Sequence, residues 1–108
     1  MTILKSATTL LLAIFISLRL LPQTGQAPLT VRAEVRVTRG TVGIVCLIVE
    51  DETSSCWENF AVINTRIFTI YSGGPHRVLA RLITRDPDGK DRYQDTPIQT
   101  IQVLEETR

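Results

Sequence analysis

From Leu29 to Val37 the chain reads LTVRAEVRV, apolar and polar in strict alternation. Leu29, Val31, Ala33, Val35 and Val37 share one face, and Thr30, Arg32, Glu34 and Arg36 share the other, which is the pattern of a half-buried β-strand. TVGIVCLIV, from Thr41 to Val49, is apolar on both faces and rich in β-branched residues, as a central strand would be. CWENFAVI (Cys56–Ile63), RIFTIY (Arg66–Tyr71), HRVLARLITR (His76–Arg85) and IQTIQVLE (Ile98–Glu105) continue the series. Turn-forming residues separate them: Gly40, the acidic tip EDE at Glu50–Glu52, Asn64, SGGP at Ser72–Pro75 and DPDGKD at Asp86–Asp91. About six short strands at this spacing predict an all-β fold, a small antiparallel sandwich.

The first 27 residues follow a different pattern. Lys5 precedes the apolar run Ala7–Leu18, Pro22 follows, and Gly25 and Ala27 supply the small residues of a cleavage site. This is the order of a secretory signal peptide. The run is shorter than the roughly 20 residues that a membrane-spanning helix needs. Cleavage after Ala27 would leave proline at the new N-terminus, which suits signal peptidase poorly, so an uncleaved leader acting as a membrane anchor stays open. LPQTG, at Leu21–Gly25, spells a sortase motif, but its apolar run comes before it, whereas a sortase substrate carries one after it. The expected organisation is a leader over 1–27 and one domain over 28–108, exported to the extracellular space or periplasm.

Without the leader, 81 residues remain, with ten basic and eleven acidic side chains and a net charge of −1. That balance gives no long-range pull towards nucleic acid or an anionic membrane. A domain of this size lies near the lower limit for a self-sufficient hydrophobic core. Cys46 and Cys56 would staple it. Both fall in the exported part, and a hairpin centred on Asp51 would set them opposite one another.

The spacing of Cys46 and Trp57, together with the segment from Tyr71 to Glu105, resembles an immunoglobulin-like or fibronectin type III-like module. In such domains a glycine-containing turn precedes a long F strand, and a polar turn leads into strand G. The resemblance implies a sandwich in which Cys46 takes the place of the B-strand cysteine and Trp57 that of the C-strand tryptophan. It departs from the family on the F strand, where this chain has Ala80 or Leu82 in place of the second cysteine.

Candidate chemistry is sparse. His76 is the only histidine and begins a strand after Pro75, where packing or turn capping accounts for it. Asp86, Asp88 and Asp91 could offer oxygens to calcium, but Pro87 and Gly89 equally suit a hairpin turn, and Thr84 stands where an EF-hand would need its first ligand. Trp57 and Tyr71 read as amphipathic core residues. Asn59 and Asn64 begin no glycosylation sequon. No enzyme and no cofactor are expected.

One surface stands out. If Val78, Ala80 and Leu82 face the core, then Arg77, Leu79, Arg81, Ile83 and Arg85 face outward, joined by Ile98, Thr100 and Gln102 of a neighbouring last strand. The expectation is a basic-apolar patch that binds a protein partner or a second copy, with no nucleic-acid role and a membrane role only if the leader is retained. The alternatives are arginine stems that merely cover Leu79 and Ile83, or an envelope or assembly accessory protein that pairs by an edge strand.

Overall fold

The computed structural model describes residues 14–50, 52 and 54–105. Among them lie nine strands: β1 (Ile16–Leu21), β2 (Thr24–Gln26), β3 (Leu29–Val37), β4 (Ile44–Val49), β5 (Ser55–Glu58), β6 (Ile63–Ile70), β7 (Gly74–Arg85), β8 (Asp91–Asp95) and β9 (Gln99–Leu104). No described residue is helical, and the strands form two sheets. One is three-stranded, in the order β1-β3-β6; the other is six-stranded, in the order β2-β9-β7-β4-β5, with β8 also paired to β7.

Alternation along each strand builds the core between the sheets. Val31, Ala33, Val35 and Val37 of β3 meet Val45, Leu47 and Val49 of β4 and Val78, Ala80 and Leu82 of β7, all fully or almost fully buried. Ile70, Ile101 and Val103 complete the layer. β3 spans the residues expected from its alternation, and the all-β expectation holds.

Two strands precede Pro28, within the segment expected as the leader. β1 pairs antiparallel with β3, from Ile16 opposite Val37 to Leu21 opposite Arg32, and its Leu18 and Leu20 are buried core residues. The chain then crosses to the other sheet, where β2 runs parallel to β9, with Thr24 opposite Gln102 and Gln26 opposite Leu104. Both strands therefore lie upstream of Pro28. Residues 1–13, which carry the first part of the expected leader, lie outside the described residues.

Three strands, β1, β2 and β8, add to the expected six, and one expected strand has different bounds. β1 and β2 come from the segment assigned to the leader. β8 is exposed along its whole length, so it has no hydrophobic alternation to announce it. The stretch Cys56–Ile63, expected as one strand, breaks after Glu58 because β5 and β6 belong to different sheets.

The side chains at that break close one open side of the sandwich. Trp57 of β5 turns inward, packs against the core and donates from Nε1 to Asn64 Oδ1 at 3.1 Å. The Arg66 guanidinium lies over its ring, 4.0 Å from the centroid, an arrangement that favours the cation. Asn64 is itself buried, and its Nδ2 donates to Asn59 Oδ1 at 2.9 Å and to the Ala61 carbonyl at 3.1 Å. A buried amide satisfied on both ends is a stable element of a core.

Cys46 and Cys56 are joined by a disulfide, with Cα atoms 4.0 Å apart. They face each other directly in the β4–β5 hairpin, whose register reflects about Asp51 as expected. Their side chains point away from the core, because Val45 and Leu47, on either side of Cys46, point into it. The B-strand cysteine role implied for Cys46 is thus corrected: strand parity puts the staple on the outer surface of the six-stranded sheet.

Candidate interaction face

β7 is the middle of the candidate site. His76, Val78, Ala80 and Leu82 are buried, so the alternate residues Arg77, Leu79, Arg81, Ile83 and Arg85 lie together on the outer face, as the sequence predicts. Register supplies their neighbours. Ile83 lies between Ile44 of β4 and Tyr93 of β8. Leu79 lies beside Ile48, and these two line a shallow cleft of about 340 Å³ with Val78, Ile98, Glu50 and Arg77. Two apolar rows therefore cross the sheet, Ile44–Ile83–Tyr93 and Ile48–Leu79–Ile98. The disulfide and Arg81 run between them, since Arg81 is opposite Cys46 on one side and Asp95 on the other.

The expected partners from the last strand lie on this face as well. β9 flanks the first half of β7, with Thr100 opposite Arg77 and Gln102 opposite Pro75. Ile98 is 57% exposed just before β9 begins. β8 occupies the place beside the second half of β7.

The charge of the face differs from the expectation. Arg81 grips Asp95 with two bonds, Nε to Oδ1 at 2.8 Å and Nη2 to Oδ2 at 3.0 Å, and lies 5.6 Å from the centre of the Tyr93 ring. Arg77 donates to Glu50, with Nε 2.9 Å from Oε2. Arg85 reaches Asp91 at 3.4 Å. Each arginine of the patch thus has a carboxylate beside it, and the face is electrically balanced rather than basic. Hydrogen bonding from Arg81 holds the Asp95 carboxyl below its ordinary range, and the same kind of bond from Arg77 lowers Glu50. Asp95 in turn raises Arg81. These pairs are solvated and fix side-chain positions more than they stabilise the fold.

Sequence reasoning missed the acidic half of this arrangement. Glu50 was expected to be part of a solvated tip. The signal for the others was present: a turn centred on Asp88 sets Asp91 opposite Arg85, Tyr93 opposite Ile83 and Asp95 opposite Arg81. DPDGKD is that turn, with Gly89 at φ 86°, its N–H donating to the Asp86 carbonyl at 2.9 Å, and Asp86 N donating to Lys90 O at 2.7 Å. Of the calcium alternative, Asp86 pairs with Arg92 and Asp91 with Arg85, while Asp88 accepts from the Lys90 amide at 3.4 Å. Among the described residues no three His, Cys, Asp or Glu side chains are grouped to hold a metal ion.

Two other candidates lie elsewhere. His76 faces inward at the start of β7, where Nε2 is 2.9 Å from the Ser72 carbonyl; a carbonyl only accepts, so Nε2 carries the proton. Its Nδ1 is buried without a partner among the described residues. Tyr71, expected in the core, is 75% exposed instead. It follows the last residue of β6 and lines a shallow groove with Pro28, Gly73 and Glu105.

The sortase-like pentapeptide has a structural role. Leu21 ends β1, Pro22 and Gln23 carry the chain between sheets, and Thr24 and Gly25 belong to β2. The Gln23 carbonyl accepts from Gln102 N at 2.8 Å, so the Thr–Gly bond lies within a paired strand. No family model matches this chain, and neither the curated proteins nor the solved structures compared with it contain a match.

Proposed function

We propose that this chain is a small exported immunoglobulin-like module that binds protein, without catalysis, through the outer face of its six-stranded sheet. The observation that carries the reading is the pair of apolar rows across an outward sheet face. An antiparallel sheet usually presents polar residues to water on its outer side. Here Ile44, Tyr93 and Ile98 are 42%, 62% and 57% exposed, with Ile48, Leu79 and Ile83 half-buried between them. Exposed apolar surface framed by polar groups is the usual mark of a docking site. The arginines suit this role, because they arrive already oriented by carboxylates and lose little freedom on binding. Their engagement with carboxylates also favours a protein partner over nucleic acid, whose phosphates would have to displace Glu50, Asp91 and Asp95.

The sheet orders support the immunoglobulin-like assignment. β1, β3 and β6 in one sheet, against β4, β7 and β9 in the other, follow the A, B, E and C, F, G division of that fold. The disulfide supports an oxidising compartment. No helix among the described residues is long and apolar enough to cross a membrane.

The test is a double substitution, Leu79→Ser with Ile83→Ser, in the full chain. Binding is measured by sedimentation over a range of concentrations and by capture from the extracellular fraction of the source. Loss of association at an unchanged melting temperature is the expected result. Undiminished association by the folded variant would remove this face from consideration.

A further inference from the structure

The apolar leader and the first core strand make competing claims on the same residues. Ile14–Leu18 is the tail of the apolar run, yet Leu18 and Leu20 lie within the core and β1 is paired along its whole length with β3. On the other sheet β2 covers the edge of β9. The segment is also tied at intervals by the side chains of Thr38, Gln94 and Gln99. Phe15 N donates to Thr38 Oγ1 at 2.7 Å, Gln94 Nε2 to the Ile14 carbonyl at 3.0 Å, and Gln99 Nε2 to the Leu18 carbonyl at 2.6 Å. At its end Ala27 packs against the core and donates its N–H to the Leu104 carbonyl at 2.8 Å.

We propose that the cleft between β3 and β9 is an acceptor site for an extended peptide with large apolar residues at alternate positions. In this chain its occupant is the chain's own Ile14–Ala27 segment. The Ala27–Pro28 bond then stays whole, and any N-terminal processing falls before Ile14. The reason is the state that cleavage at Ala27 would leave. β3 would present a row of unpaired N–H and C=O groups beside the space vacated by Leu18 and Leu20, and β9 would lose its parallel partner. A free sheet edge next to an open apolar groove is the geometry that accepts an added strand. Backbone pairing would supply the affinity, and the two leucine positions would supply the selection. The inference does not rest on the docking role proposed for the outer face, although β2 pairs at the edge of the same sheet.

The test uses the full chain with the recognition sequence of a site-specific protease inserted between Ala27 and Pro28, cut after folding. The N-terminal fragment is expected to remain with residues 28–108 through gel filtration in native buffer and to leave only as the protein unfolds. Release of the fragment with loss of folded signal equally supports the strap. Release from a remainder that keeps the melting temperature of the uncut protein overturns the proposal. Should the insertion itself prevent folding, Leu18→Ala with Leu20→Ala in the uninterrupted chain serves instead. A fall in melting temperature of more than about 10 °C is expected, and no change overturns the strap. Processing is read separately by intact mass after expression in a secreting host. A folded product that starts at Pro28 overturns the proposal. One that starts at or before Ile14 supports it, and a chain that is never exported keeps the strap but counts against the export reading above.

Discussion

Arg81 and Asp95 face each other across the β7–β8 pair, joined by two hydrogen bonds of 2.8 and 3.0 Å, with the Tyr93 ring 5.6 Å from the guanidinium. The pair ties the exposed strand β8 to the centre of the outer face. Because Asp95 titrates below its ordinary value in the folded chain, its folded form binds a proton less readily than its unfolded form. The stability it adds is present above the unfolded carboxyl range and is lost as pH falls through the folded value. Asp95→Asn is therefore expected to lower the melting temperature by a few degrees at pH 7 and to flatten its decline below about pH 4. Thermal melts between pH 2 and pH 7 check this; parallel curves for the two proteins would refute it. Glu50, lowered by Arg77, is expected to behave in the same direction.

Reduction of Cys46–Cys56 removes a cross-link that spans ten positions of the chain. A loop of that size contributes on the order of 2–3 kcal/mol when the native geometry accommodates the bond. The expected consequence is a drop in melting temperature of roughly 10–20 °C in the presence of reductant. The outer face should lose definition at the same time, since the bridge lies beside Arg81. Calorimetry with and without reductant, alongside peptide mapping under non-reducing conditions, decides the point.

Asn64→Ala should destabilise more than its size suggests. The amide serves Trp57 Nε1, Asn59 Oδ1 and the Ala61 carbonyl at once. Its removal leaves the indole N–H and a part-buried acceptor without their partner, at about 1–3 kcal/mol. Denaturant unfolding followed by Trp57 fluorescence reports both the stability and the environment of the ring. A variant within about 0.5 kcal/mol of the parent would show that water replaces the amide without loss.

The legibility of this fold in its sequence depended on where burial produces a period. β3 and β7 each bury one face, so LTVRAEVRV and HRVLARLITR announced both the strands and the inward side, and with the latter the five outward residues of the candidate site. β8 buries nothing and had no period to read. ISLRLL has the same alternation as β3, but its leucines continue an apolar run, so a leader and a strand look alike there until tertiary pairing separates them. The missing half of the site was different in kind. Glu50, Asp91 and Asp95 are ordinary surface acids until the two hairpins about β7 set them opposite arginines. Reflecting the sequence about Asp88 would have found two of the three; Glu50 needed the β4–β7 pairing, which no local signal gives.

Gly43 offers a last test of how β4 is held against β7. It lies just before Ile44, the start of one apolar row, and its carbonyl accepts from Asn59 N at 2.9 Å. A Cβ built on Gly43 would meet the Ile83 carbonyl oxygen at 2.5 Å and the Thr84 Cγ2 at 3.2 Å. The first contact is with backbone, which cannot rotate away as a side chain could. Gly43→Ala is therefore expected to push the start of β4 from the end of β7, at a destabilisation on the order of 1–3 kcal/mol. Gly89→Ala makes the useful contrast: its Cβ would meet nothing within 4 Å, and only its φ of 86° opposes a side chain. That change should destabilise by about 1 kcal/mol and leave the outer face in place. Amide exchange at Ile44 and Ile83 distinguishes the two. Faster exchange in the Gly43 variant and parent-like exchange in the Gly89 variant are expected. Equal protection in both would mean that the two strands are not held by close approach at Gly43.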